Sequence, residues 1–122
     1  MSATSRTPKA VQAIRLTRLA LHLVWGLIVT GLLFPWLSSF RRGRFKQGWA
    51  HQALAILGIA VHARFDHCAP GSLYVANHIS WLDILALNAA RPMTFVSKAE
   101  VRAWPLIGWF AEKGDTVFLR RG

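Results

Sequence analysis

Residues 19–37, "LALHLVWGLIVTGLLFPWL", carry no formal charge. This run, more than any other stretch, limits what the chain can become. It approaches the roughly 20 apolar residues that a helix needs to cross a bilayer. It lacks the small-x-small cleavage site expected after a secretory signal, and it is longer than the usual signal core. The run therefore reads as a retained membrane-associated segment. A basic flank precedes it over residues 1–18, with Arg6, Lys9, Arg15 and Arg18 and no acid, and this flank reads as mobile or laid on a charged surface. Arg41, Arg42, Arg44 and Lys46 follow the run, so cations on both sides cancel the usual orientation signal. Pro35 is expected to bend or end the helix near Phe34. A second apolar helical stretch, "WAHQALAILGIAV", covers residues 49–61. Residues 19–61 thus read either as a helical hairpin embedded from one side of the membrane or as a single spanning helix.

Composition narrows the class further. The chain of 122 residues is 53% hydrophobic, has six tryptophans, and sets fifteen Lys and Arg against five Asp and Glu. A chain both apolar and basic suits an anionic membrane surface. A nucleic-acid binder would explain the charge and leave the apolar runs and tryptophans unexplained, so no nucleic-acid partner is expected. Trp25 and Trp36 read as interfacial, and Trp81, Trp104 and Trp109 as core or groove lining. The single Cys68 rules out an internal disulfide framework and gives no support to a structural zinc site. No metal is expected.

Beyond residue 61 the pattern changes. "VHARF" and "GSLYVANH", separated by a turn at Pro70 and Gly71, read as strands. "WLDILALNAA" reads as a helix, "PMTFVSK" as a strand, "AEVRAWPLIGWFAEKG" as a helix interrupted at Pro105, and "DTVFLRR" as a strand. Strands alternating with helices predict an α/β fold.

In "YVANHISWLDILAL" a histidine and an aspartate stand five residues apart, His78 and Asp83. On a continuous helix they would be roughly 140° out of line. They meet more easily at a helix start, with His78 on the preceding loop, Ser80 as cap and Asp83 in the first turn. A carboxylate on one ring nitrogen fixes the tautomer and makes the other nitrogen a better general base. The plainer reading is a capping box, Ser80 to Asp83, in which the acid serves only the helix end. Spacing alone leaves both readings open and favours the plainer one.

The wider sequence adds to this. Asn77, His78, Ser80 and Asp83 fill the pattern N-H-x-S-x-x-D. Residues 95–122, "FVSKAEVRAWPLIGWFAEKGDTVFLRRG", bring a Lys-x-Glu helix start, a Pro-Leu-Ile-Gly and a strand ending in arginine. Together these resemble the first two motif blocks of the glycerolipid acyltransferases, the lysophosphatidic acid acyltransferase-like family that includes lyso-ornithine lipid acyltransferases. The resemblance implies transfer of a fatty acyl group from acyl-CoA or acyl carrier protein to the hydroxyl of a lysophospholipid, in phospholipid biosynthesis. His78 would be the general base and Asp83 its partner. Arg121, with Arg120 beside it, would hold the acceptor phosphate. The thioester is a co-substrate and no cofactor is implied. Lys98 is a weaker candidate for an anionic group, otherwise a surface cation near Glu100. The implied setting is the cytoplasmic face of the inner membrane, with lipid as partner. Residues 62–122 would form the first part of the acyltransferase α/β sheet. The family's later Glu-Gly-Thr and proline blocks find no counterpart, so the expected extent is the N-terminal half of such an enzyme. The alternative is an inactive, membrane-anchored interaction module.

Overall fold

The computed structural model describes residues 6–65, 68–77, 80–120 and 122. Helix α1 (Lys9–Leu32) joins the end of the basic flank to the apolar run in one piece, and it is long and apolar enough to cross a bilayer. It stops before Pro35, which sits in a 3₁₀ turn over Phe34–Trp36. Helix α2 (Ser39–Leu57) then doubles back along α1. Ser38 caps its start, its Oγ accepting from Arg41 N–H at 3.4 Å. Gly58 ends it at φ 75°, and Ile59 N–H returns to Leu54 O at 2.9 Å, a closure that favours glycine at the left-handed position.

Two residues fix how α1 meets α2. The Nε2 of His22 lies 2.9 Å from the carbonyl of Trp49, and the indole Nε1–H of Trp49 donates to His22 O at 3.2 Å. The two rings stack with centroids 5.0 Å apart. Gly26 makes room for this, since a Cβ there would fall 2.8 Å from the indole Cε2. A histidine in an otherwise apolar run is thereby satisfied at the helix contact.

Helix α3 (Trp81–Ala90) packs on α2, and the small core sits between them, with Ala50, Leu54 and Ala89 buried and Trp49, Leu82 and Leu85 closed around them. Alanines at the contact let the backbones approach. Gln47 Nε2 donates to the carbonyls of Ala89 and Ala90 at 3.3 and 3.4 Å, satisfying the far end of α3. Strand β1 (Val96–Lys98) pairs in parallel with β2 (Val117–Leu119), Val96 opposite Val117 and Lys98 opposite Leu119. The crossover is a 3₁₀ helix (Ala99–Ala103) followed by helix α4 (Ile107–Lys113).

The architecture is mostly helical with a two-stranded sheet, and this corrects the fuller α/β sheet expected from sequence. Residues 61–65 and 72–77 form no strand, and Leu73 and Val75 stand 83% and 89% exposed. Their β-branched and aromatic content fits a pleated surface, but a strand exists only where a neighbour completes its ladder. Neither run pairs with β1 or β2. The helix expected to run from Ala99 through Gly114 is split as expected at Pro105.

Candidate active site

The start of α3 is built by the residues that the motif supplies. Asp83 Oδ2 accepts from Ser80 N–H at 2.9 Å, and Ser80 Oγ accepts from Leu82 N–H at 3.3 Å. The two side chains form a full capping box, so the plainer of the two sequence readings is realised. The same geometry holds Asp83 at the helix entrance, one turn past the loop that carries Asn77. His78 lies outside the described residues, as does Arg121.

Asp83 and Asn77 both border an open cavity of about 1260 Å³. Its walls are largely apolar and come from all four α-helices and β1: Leu23 and Leu27 of α1, Phe45 of α2, Leu87 of α3, Val96 of β1 and Phe110 of α4. A site that joins a carboxylate to a wide apolar chamber suits a polar reaction on a molecule with a hydrocarbon tail. Arg120 is exposed immediately beyond β2 and is not in the cavity wall, while Lys98 is exposed at the same end of the sheet. Near the crossover, Arg102 pairs with Glu112 at 2.6 Å.

Three residues of this region carry roles that sequence reasoning did not assign. Asn88, on α3, borders the cavity, and its buried Oδ1 has no hydrogen-bond partner among the described residues. An amide in the middle of an apolar helix was the signal available. Lys46 and Arg42 belong to the basic cluster that follows the apolar run, yet both make contacts within the fold. Lys46 Nζ donates to Gly114 O at 2.7 Å, and burial pushes its pKa below the ordinary lysine value against the opposing pull of Asp115. Arg42 donates from Nε to Phe34 O at 2.9 Å and pairs with Asp115 at 3.1 Å. These contacts lash the start of α2 to the turn that leads into β2. Arg41 and Arg44 remain exposed.

The lash gives a first prediction. Asp115 is at φ 64°, a region that aspartate and asparagine tolerate and β-branched residues do not. Its ion pair is partly exposed, so Asp115→Asn is expected to cost less than about 1 kcal/mol, an effect that fades with added salt. Asp115→Val is expected to add about 1–3 kcal/mol of backbone strain that salt does not remove. Denaturant unfolding in detergent at low and high salt checks both.

The tryptophans differ from expectation. Trp81 and Trp104 are 57% and 54% exposed instead of buried, whereas Trp109 lies against α1 at Gly31.

The start of α3 thus sets a capped acid at the edge of an apolar chamber, beside a short parallel crossover. The sequence pattern of the Acyltransferase family matches residues 58–122, more than half of the chain. The chain belongs to this family, on its glycerolipid acyltransferase side. It is 44% identical over 108 residues to the lyso-ornithine lipid O-acyltransferase of Pseudomonas aeruginosa, an alignment covering 80% of this chain and 42% of that protein. It is 48% identical over 68 residues to the lyso-ornithine lipid O-acyltransferase of Rhodobacter capsulatus, covering 56% of this chain and 25% of that one. It is 33% identical over 111 residues to the 1-acyl-sn-glycerol-3-phosphate acyltransferase of Neisseria meningitidis serogroup B, covering 88% and 44%. The chain thus spans less than half the length of these curated relatives. No solved structure matches it at a significant level.

Proposed function

We propose that this chain carries the base and the lipid-facing part of an acyltransferase that moves a fatty acyl group from acyl-CoA or acyl carrier protein to the hydroxyl of a lysolipid. His78 takes the hydroxyl proton as the oxygen attacks the thioester carbonyl. The carbon–sulfur bond then breaks, and the imidazolium returns the proton to the departing thiolate. Asp83 orients the imidazole and stabilises its charged form. The observation that carries this reading is Asp83, held by its capping box at the edge of the apolar cavity. Arg121 and Arg120, beyond β2, are assigned to the acceptor's anionic head group. A guanidinium offers paired donors to a phosphate and equally to the carboxylate of an ornithine head group. The relatives named for lyso-ornithine lipid share the higher identities, so that acceptor comes first and 1-acylglycerol-3-phosphate second.

The setting proposed is the cytoplasmic face of the inner membrane, with α1 and α2 lying in its interface rather than crossing it. The support is the axial match of the two helices. Phe34 meets Phe45 edge to face with centroids 5.6 Å apart, and Arg42 bonds Phe34 O, so the cationic start of α2 runs beside the apolar end of α1. Were α1 to cross the bilayer, α2 would carry the exposed Arg41 and Arg44 into it, at about 2.5–3.5 kcal/mol each near the centre.

The test is acyl transfer from labelled acyl-CoA and acyl carrier protein to lyso-ornithine lipid and to lysophosphatidic acid, in membranes containing the chain or its His78→Ala variant. Transfer by the parent and none by the variant is expected. Equal transfer by both, or none by the parent with either acceptor, leaves the membrane-anchored module in place of the enzyme.

A further inference from the structure

The segment that joins the 3₁₀ helix to α4, "WPLI" at residues 104–107, has an unusual backbone. Ile107 N–H donates to Pro105 O at 2.6 Å, across a single residue, and Leu106 between them has φ 60° and ψ −53°. This is a γ-turn of the positive-φ hand, rare and strained for any residue with a side chain. Both flanks hold it. Trp104 N–H donates to Val101 O at 3.1 Å, Gly108 N–H donates to Trp104 O at 2.9 Å, and Gly108 itself is seated against the Arg102 carbonyl. The turn projects its apolar side chains outward: Trp104 is 54%, Leu106 67% and Ile107 57% exposed. Backbone strain that holds apolar side chains away from the fold is the kind of conflict that marks a contact site.

The neighbours indicate what it contacts. Leu106 and Ile107 edge the large cavity, and Leu23 and Leu27 of α1 are in the same wall. Trp109, three residues past Leu106, lies on α1 at Gly31, so the turn and α1 are joined side by side. The uncovered residues of α1 continue the apolar surface, among them Val24, Ile28 and Leu32. A surface built from two elements around a cavity mouth, on a chain of net charge +10, fits an anionic bilayer. We propose that the turn at residues 104–107 is a second membrane contact, which enters the lipid interface beside α1 so that the cavity opens sideways into the bilayer. This inference rests on the interfacial placement of α1 and α2 proposed above.

The experiment uses spin labels on the chain with Cys68→Ser, one label introduced by Leu106→Cys and another, separately, by Leu32→Cys. Each is measured with and without vesicles of phosphatidylethanolamine and phosphatidylglycerol. Both sites are expected to lose access to a water-soluble nickel chelate and to gain collisions with oxygen when vesicles are added. A lipid response at the α1 site while the turn's label stays open to nickel, or is shielded from both reagents, overturns the proposal and leaves the interfacial helices standing. No response at either site overturns both. Leu106→Gly separates contact from folding, because glycine accepts the positive φ without strain. That variant is expected to be at least as stable as the parent and to bind the vesicles about tenfold more weakly or worse, as loss of a buried leucine side chain requires. Unchanged binding by Leu106→Gly also overturns the proposal.

Discussion

Asp83→Asn is expected to leave helix α3 folded and to lower acyl transfer by roughly 10²–10⁴-fold. The two parts of that result come from two properties of one side chain. The cap needs an oxygen that accepts from Ser80 N–H, and an asparagine carbonyl supplies it with the same reach. The proposed catalytic role needs a negative charge to stabilise an imidazolium and to set its tautomer, and a neutral amide supplies neither. Asp83→Ala, by contrast, removes both, and is expected to add about 1 kcal/mol of lost capping to the same loss of activity. The measurement is a pair: initial rates of acyl transfer, and unfolding of the same variants followed by circular dichroism. An Asp83→Asn variant as active as the parent would make Asp83 a cap and nothing else. A variant that loses activity and helix together would make the loss structural.

Gly108→Ala is expected to destabilise the fold by about 3 kcal/mol, at the upper end of overpacking costs. A methyl carbon at this position would stand 2.6 Å from the carbonyl carbon of Arg102 and 2.8 Å from the carbonyl oxygen of Val101. Both obstacles are backbone, so no side-chain rotation can relieve the clash. The crossover must open instead, and α4 would move away from the 3₁₀ helix that precedes it. Trp109 and Phe110 would move with it, the first off α1 and the second off Trp49, whose ring centroid lies 5.7 Å away. Gly48→Ala on the exposed side of α2 is the control. Nothing lies within 4 Å of a Cβ there, and alanine favours the helix by about 1 kcal/mol. Denaturant midpoints should therefore move in opposite directions. A Gly108→Ala midpoint within roughly 0.5 kcal/mol of the parent would show that the backbone approach is not required.

The elements that the sequence disclosed are those whose signals are local. The uncharged run and Pro35 specify where α1 ends. Ser80 and Asp83 specify where α3 begins, because a capping box is complete within four residues. Alternation around residues 95–119 foretells two strands and a helix broken at Pro105. What stayed hidden depends on partners far away in the chain. Residues 61–65 and 72–77 have strand-like composition, but pairing is a property of two segments, and composition reports only one. Arg42 and Lys46 look like any exposed basic cluster until Gly114 and Asp115 come within reach of them. Trp81 and Trp104 look like core residues because tryptophan usually is, and the exposure of Trp104 follows from a turn that no residue type announces. Gly108 carries a glycine's ambiguity, and only the carbonyl of Arg102 shows why a larger residue fails. The proposed site divides in the same way: Asp83 was readable from its cap, whereas Asn88 and the cavity it borders emerge only from assembly.

The reciprocal bonds between His22 and Trp49 have a mechanical consequence. Sliding α1 along α2 by one helical turn would break both hydrogen bonds, unstack the rings and bring the indole against a larger residue than Gly26. The helix pair therefore has one register and behaves as a strut of fixed length. Because α3 is packed on that strut, the height of Asp83 above whatever surface supports α1 is set by a histidine, a tryptophan and a glycine at the contact between two helices.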